Sequence, residues 1–252
     1  MGESGKVGEL MAVLSGKGGT GKTSVCAGIA TALAASGRRV LCIDCDVGLR
    51  NLDISLGLTD TPSLSFLEVC RGDYPLTQAT VHPQYPSLSF LTAPMNCSID
   101  SIDADAFARM VFEARKVYDY ILLDAPAGVD AGFRLTAGFA DRCILVTGPG
   151  PAAVRDAART GELLELMGRT NVRLIVNRVD KKMVSAMAVT IDDVMDPAGL
   201  PLLGVIPEDL NVTLAAAAGR PLLKYKPRCG FSKACRRIAN RIQGLPEPVG
   251  LR

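Results

Sequence analysis

Gly16-Lys17-Gly18-Gly19-Thr20-Gly21-Lys22-Thr23 decides how the rest of the chain is read. It follows an apolar run, LMAVLS (10–15), and precedes SVCAGIATALAAS, a stretch of small residues that opens at Ser24. Strand, glycine-rich loop and helix in that order, with the spacing G-x-x-x-x-G-K-[ST], form a cradle for phosphate. Glycines let successive backbone N–H groups curl around phosphate oxygens, and the helix N-terminus adds its partial positive charge. In such a loop Lys22 reaches the β- and γ-phosphates and the Thr23 hydroxyl ligates Mg²⁺, so Gly16 to Ser24 form the candidate nucleotide-phosphate site. A chance lysine in a flexible turn is the plain alternative, and the flanking strand and helix patterns weigh against it.

Working outward, strand-length apolar runs alternate with amphipathic stretches. The runs are 10–15, 39–44, 88–93, 118–124, 142–147, 172–177 and 202–206. Their hydrophobicity is continuous rather than alternating, which suits strands covered on both faces and hence a mostly parallel sheet. Helices are predicted near 22–36, 63–70, 103–117, 132–140, 151–168, 190–196, 209–218 and 231–243. The layout is a doubly wound α/β fold. With 252 residues, 48% hydrophobic and 21% charged, and no linker or charge block dividing the chain, one domain over 10–243 is expected, with loose ends at 1–9 and 244–252.

No apolar run approaches the roughly 18 residues of a membrane span, and MGESGKVGEL does not read as a secretory signal, so a soluble, cytoplasmic protein is expected. The formal net charge is +2, but Arg220 to Ile242 carries +8 with no acid, leaving −6 for the remainder. Such a basic end suits an anionic lipid surface, nucleic acid or an acidic partner as well as a plain solvated face. Cys42 and Cys45 form a C-x-x-C, but within a strand they point to opposite faces and cannot readily share a metal. The single histidine, His82, precedes Pro83 and reads as a structurally neutral loop residue; one histidine nearly excludes a multi-histidine metal site or a histidine-based triad.

Carboxylates stand where ligands bind in open α/β sheets, just past the ends of parallel strands. Asp44 and Asp46 close the second run in DCDVGLRNLD, and Asp124 closes YDYILLD ahead of Ala125-Pro126-Ala127-Gly128. Downstream of a phosphate loop, Asp124 reads as the carboxylate bound to Mg²⁺ directly or through water. Helix capping is the plain alternative for Asp44 and Asp46.

Lys17, directly after the first glycine, turns the phosphate loop into a deviant Walker A box. On this loop, on GLRNLD and on DAPAG, the chain resembles the MinD/ParA family of dimeric ATPases, over roughly residues 10 to 243. The resemblance implies a P-loop NTPase that binds ATP and Mg²⁺, dimerises on ATP and hydrolyses it. Lys17 would then reach across the dimer to the partner's nucleotide, Asp46 would position the attacking water, and Asp44 would help the Mg²⁺ shell. VNRVD (176–180) resembles the segment that reads adenine, which implies Asn177 with Arg178 beside it; VIPED (205–209) resembles the loop around the base, at Pro207 and Glu208.

GLRNLD in particular is similar to the septum-positioning branch of the family. That branch implies recruitment of a division inhibitor of the MinC kind, an activator of the MinE kind, and a place on the inner face of the cell membrane. The alternative is a ParA-like partition or positioning ATPase acting on DNA or another cargo through its basic face. Two departures stand out. Gly148-Pro149-Gly150-Pro151 replaces the family's Asn-Pro-Glu, and the segment after 243, GLPEPVGLR, has two prolines where an amphipathic membrane-targeting helix is expected. Membrane contact would then fall to the basic helix 231–243 itself, whose apolar residues form one i, i+3, i+4, i+7 stripe.

Overall fold

A computed structural model describes residues 7–95, 97, 99–180 and 199–248. Its strands are β1 (Glu9–Leu14), β2 (Val40–Asp44), β3 (Thr80–His82), β4 (Tyr85–Leu91), β5 (Tyr120–Asp124), β6 (Arg142–Thr147), β7 (Val172–Val179) and β8 (Leu202–Pro207). The helices are α1 (Lys22–Ala35), α2 (Leu52–Leu56), α3 (Phe66–Arg71), α4 (Ala104–Val117), α5 (Ala131–Phe139), α6 (Pro151–Leu166), α7 (Asn211–Ala217), α8 (Leu222–Tyr225) and α9 (Gly230–Ile242). The strands form one sheet in the order β3-β4-β2-β5-β1-β6-β7-β8, with every pairing parallel except β3 to β4.

The continuous apolar runs behave as two-faced burial requires. Met11 and Val13 of β1 join the cluster under α1 and α9, while Ala12 and Leu14 join the cluster under α5 and α6. Cys42 and Cys45 likewise part, one to each side of the sheet. The stripe Phe231, Ala234, Cys235, Ile238 and Ile242 is buried, packed with α1 and β8. Gly28 makes the α1–α9 crossing possible, because a Cβ there would lie 2.6 Å from Cys235 Sγ and 2.8 Å from the Phe231 ring.

Three short elements escape the sequence reading: α2, α8 and β3. His82 corrects an expectation. It is not a neutral loop residue but the buried end of edge strand β3, with Nε2 2.8 Å from the Leu56 carbonyl and Nδ1 accepting from the Gln84 N–H at 3.0 Å. Because Nδ1 accepts, Nε2 carries the proton and donates, which fixes one neutral tautomer. The helix predicted at 190–196 lies outside the described residues. Among the described residues no helix is long and apolar enough to cross a membrane.

Candidate functional site

Parallel register brings the acidic strand ends together at the C-terminal edge of the sheet. Asp44 of β2 stands beside Asp124 of β5, which stands beside Val13 of β1, two residues before Ser15, where the chain leaves the strand for the loop of Gly16 to Thr23. That loop enters α1 through Gly21, whose φ of 82° only glycine adopts without strain.

Lys22, the first residue of α1, turns its ammonium to Asp124 Oδ1 at 2.5 Å, with both side chains almost fully buried. Burial works against the ammonium, but Asp124 outweighs it and holds the Lys22 pKa above the ordinary lysine value. The other carboxylate oxygen, Asp124 Oδ2, is buried with no hydrogen-bond partner, as are Thr20 Oγ1 and Ser15 Oγ in the same loop. Thr23 Oγ1 lies 3.4 Å from the Lys22 ammonium. Buried polar atoms without partners are costly and rare, so three around one loop mark a place built for a polar ligand.

Asp44 is fully buried, and both its oxygens are engaged: Oδ1 accepts from the Asp46 N–H at 2.9 Å and Oδ2 from the Leu52 N–H at 3.1 Å. It therefore ties DCDVGLRNLD into a closed turn and anchors the start of α2. Burial first, and then the neighbouring Asp124 carboxylate, push its pKa up to about 7, against the two backbone hydrogen bonds. Asp46 is half-buried and accepts from the Leu49 N–H at 3.2 Å.

Lys17 is exposed and pairs with Asp156 of α6 at 2.8 Å within its own chain. That contact holds the Asp156 carboxyl below the usual range, chiefly through the hydrogen bond from Lys17. Asp156 is a residue that sequence reasoning passed over; its position on the first turns of α6, beneath the loop, is a tertiary fact.

Beside the loop opens a cavity of about 210 Å³ lined by Gly21, Ser24, Asn177, Arg178, Pro207 and Glu208. The fold thus brings the residues of VNRVD and VIPED to one wall next to the phosphate loop. Arg178 and Glu208 form a forked pair at 2.8 and 3.2 Å. On the other flank, the Gly128 N–H of the DAPAG segment donates to the Ser15 carbonyl at 3.1 Å, so this segment touches the loop as well.

A phosphate loop at the centre of a parallel sheet, with a lysine and a strand-end aspartate paired beneath it, defines a P-loop nucleotide-binding protein. The chain belongs to the CobQ/CobB/MinD/ParA nucleotide-binding family, which it matches over residues 11–222. Within that family it is similar to septum site-determining protein MinD. It is 36% identical to the protein of that name from Synechocystis sp. over 95% of this chain and 91% of the relative. It is 35% identical to a chain of the MinC:MinD cell division protein complex of Aquifex aeolicus, with a TM-score of 0.89 over 96% of this chain and 98% of the other. The Pyrococcus horikoshii protein complexed with Mg-ADP is 29% identical, with a TM-score of 0.82 over 93% and 95% of the two chains.

Proposed function

We propose that the chain is a MinD-like ATPase switch. It binds ATP with Mg²⁺, pairs with a second copy while loaded, hydrolyses the nucleotide to reset, and helps place the division septum by recruiting an inhibitor of the MinC kind. The single observation that carries the reading is the Lys22–Asp124 pair, in which Asp124 Oδ2 lacks a hydrogen-bond partner, beneath a loop whose buried Thr20 Oγ1 lacks one as well. An unpartnered carboxylate oxygen near a threonine hydroxyl is a hard oxygen donor set of the kind magnesium takes. Thr23 and Asp124 would hold the ion, with Asp44 next to them; its chemistry there is to neutralise charge on the triphosphate oxygens.

The chain's own residues do the rest. The loop's N–H groups and Lys22 bind phosphate, and Asp46, half-buried beside Asp44, orients the attacking water. Lys17 adds a second cation at the triphosphate of the partner copy, where developing charge is stabilised. For that it must leave Asp156, and an exposed pair is cheap to break.

Light scattering with MgATP tests this. The chain should become a dimer with ATP and not with ADP, and Lys17→Ala should stay monomeric while still binding nucleotide. A wild-type chain that remains monomeric with MgATP, indistinguishable from Lys17→Ala, would overturn the switch.

The same reading places the chain in the cytoplasm, with an activator of the MinE kind. Contact with the inner face of the membrane would use the charge of α9, because the apolar stripe of α9 is buried against α1 and β8. The basic face also favours a second reading, a ParA-like positioning ATPase acting on DNA. Arg220, Lys224, Lys226, Arg228 and Lys233 are exposed and join none of the ion pairs among the described residues. Salt-sensitive, ATP-dependent retention on nonspecific DNA would select it over septum placement.

A further inference from the structure

The end of β7 holds the phosphate loop by its backbone. Asn177, 3% exposed, donates from Nδ2 to the Thr20 carbonyl at 2.8 Å. Its neighbour Arg178, in the left-handed region at φ 60°, donates from Nη1 to the Gly19 carbonyl at 3.2 Å. A left-handed arginine is strained relative to glycine, and its two anchored contacts, to Gly19 and to Glu208, are what that conformation serves. The contact also explains the motif's second glycine: a Cβ on Gly21 would lie 2.4 Å from Asn177 Nδ2.

Peptide geometry turns these contacts into a statement about phosphate. A peptide unit is planar and trans, so its C=O and N–H point in opposite directions. The Gly19 carbonyl shares a unit with the Thr20 N–H, and the Thr20 carbonyl with the Gly21 N–H. Drawing both carbonyls toward β7 therefore turns both N–H groups away from it, as a phosphate cradle needs.

We infer that Asn177 and Arg178 are positioning residues for the phosphate loop: they hold the Gly19 and Thr20 carbonyls so that the following N–H groups meet phosphate. The Arg178–Glu208 fork ties this brace to the loop after β8, which lines the same 210 Å³ cavity. The inference rests on the nucleotide reading above and redistributes its labour. Asn177 Nδ2 is committed to the loop, so the amide offers a base only its Oδ1.

Binding of MgATP, MgGTP and magnesium tripolyphosphate, which has no base, separates a brace from a base reader. In the full-length chain, Asn177→Ala should weaken ATP and tripolyphosphate by a similar factor of about ten, the worth of one buried hydrogen bond. The ratio of ATP to GTP affinity should not change. Arg178→Ala should act in the same direction with a smaller factor, and Arg178→Lys should recover most of it, because an ammonium can still donate to the Gly19 carbonyl. Loss of ATP binding with tripolyphosphate binding intact would overturn the inference, as would variants that bind both like wild type. If buried Asn177→Ala fails to fold, the exposed Arg178 series decides alone. A folded wild-type chain that binds neither ATP nor tripolyphosphate would instead sink the nucleotide reading, so the two failures are told apart by the wild-type arm.

Discussion

Lys22 and Asp124 make the strongest electrostatic contact of the site, and each needs the other. A buried ion pair adds little net stability, but removing one partner strands a charge in the interior, at a cost of about 3–5 kcal/mol. Lys22→Met should therefore lower the unfolding free energy by that order in urea, measured without nucleotide. Adding Asp124→Asn to the same chain should restore most of the loss, which no sum of independent effects would do. Lys17 behaves oppositely. Its pair with Asp156 is exposed on both sides, so Lys17→Ala should leave the melting temperature of the nucleotide-free protein unchanged within scan error. The two lysines stand five residues apart in one glycine-rich loop, and only tertiary structure separates them. Spacing in the sequence named both; it could not show that one is buried on a carboxylate 102 positions away and the other pinned to a helix across the surface.

At the scale of elements, what could be read from the sequence follows length. Each long two-faced strand and each helix of three turns or more among the described residues falls within a few positions of its apolar pattern, because five or more residues suffice to show an unbroken apolar run or a helical period. The three-residue strand β3 and the short helices α2 and α8 show none. The start of α2 is fixed by Asp44, eight positions upstream, whose carboxylate accepts the Leu52 N–H, and no local propensity rule sees that far. Nor could the pattern distinguish Gly28 from any other small residue of α1. Two glycines make that difference measurable. Alanine at an open helical glycine gains up to about 1 kcal/mol of propensity, as Gly138→Ala in α5 should, since nothing lies within 4 Å of its added Cβ. Gly28→Ala gains the same propensity but drives a Cβ into Cys235 and Phe231, an overpacking cost of about 1–3 kcal/mol. The clash should win, so urea midpoints should move in opposite directions for the two substitutions.

Over the whole molecule, buried titratable groups set opposing slopes in stability against pH: the carboxyls of Asp44 and Asp124, both raised by burial, on one side and His82 on the other. Asp44 has a folded pKa of about 7, raised from 3.8, so the folded chain binds the extra proton between those values. Its contribution is full below 3.8 and is lost as pH rises, by at most about 1.4 kcal/mol per unit, until it levels off above 7. His82 is lowered below 6.5, first by burial, against the hydrogen bonds to backbone at Leu56 and at His82 itself and with a smaller push from the Lys224 ammonium. Its contribution is therefore complete above 6.5 and fades as pH falls through its folded value. The slopes oppose each other below 6.5, and from 6.5 to about 7 the raised carboxyls act without His82. Stability without nucleotide should accordingly fall across that last interval, read as the urea midpoint at half-unit steps from pH 5 to 8. In Asp44→Asn the falling arm should become shallower, because the proton held by Asp44 no longer contributes to it. If the falling arm is unchanged in Asp44→Asn, another group carries that proton and the buried carboxyl that anchors α2 is ionised throughout.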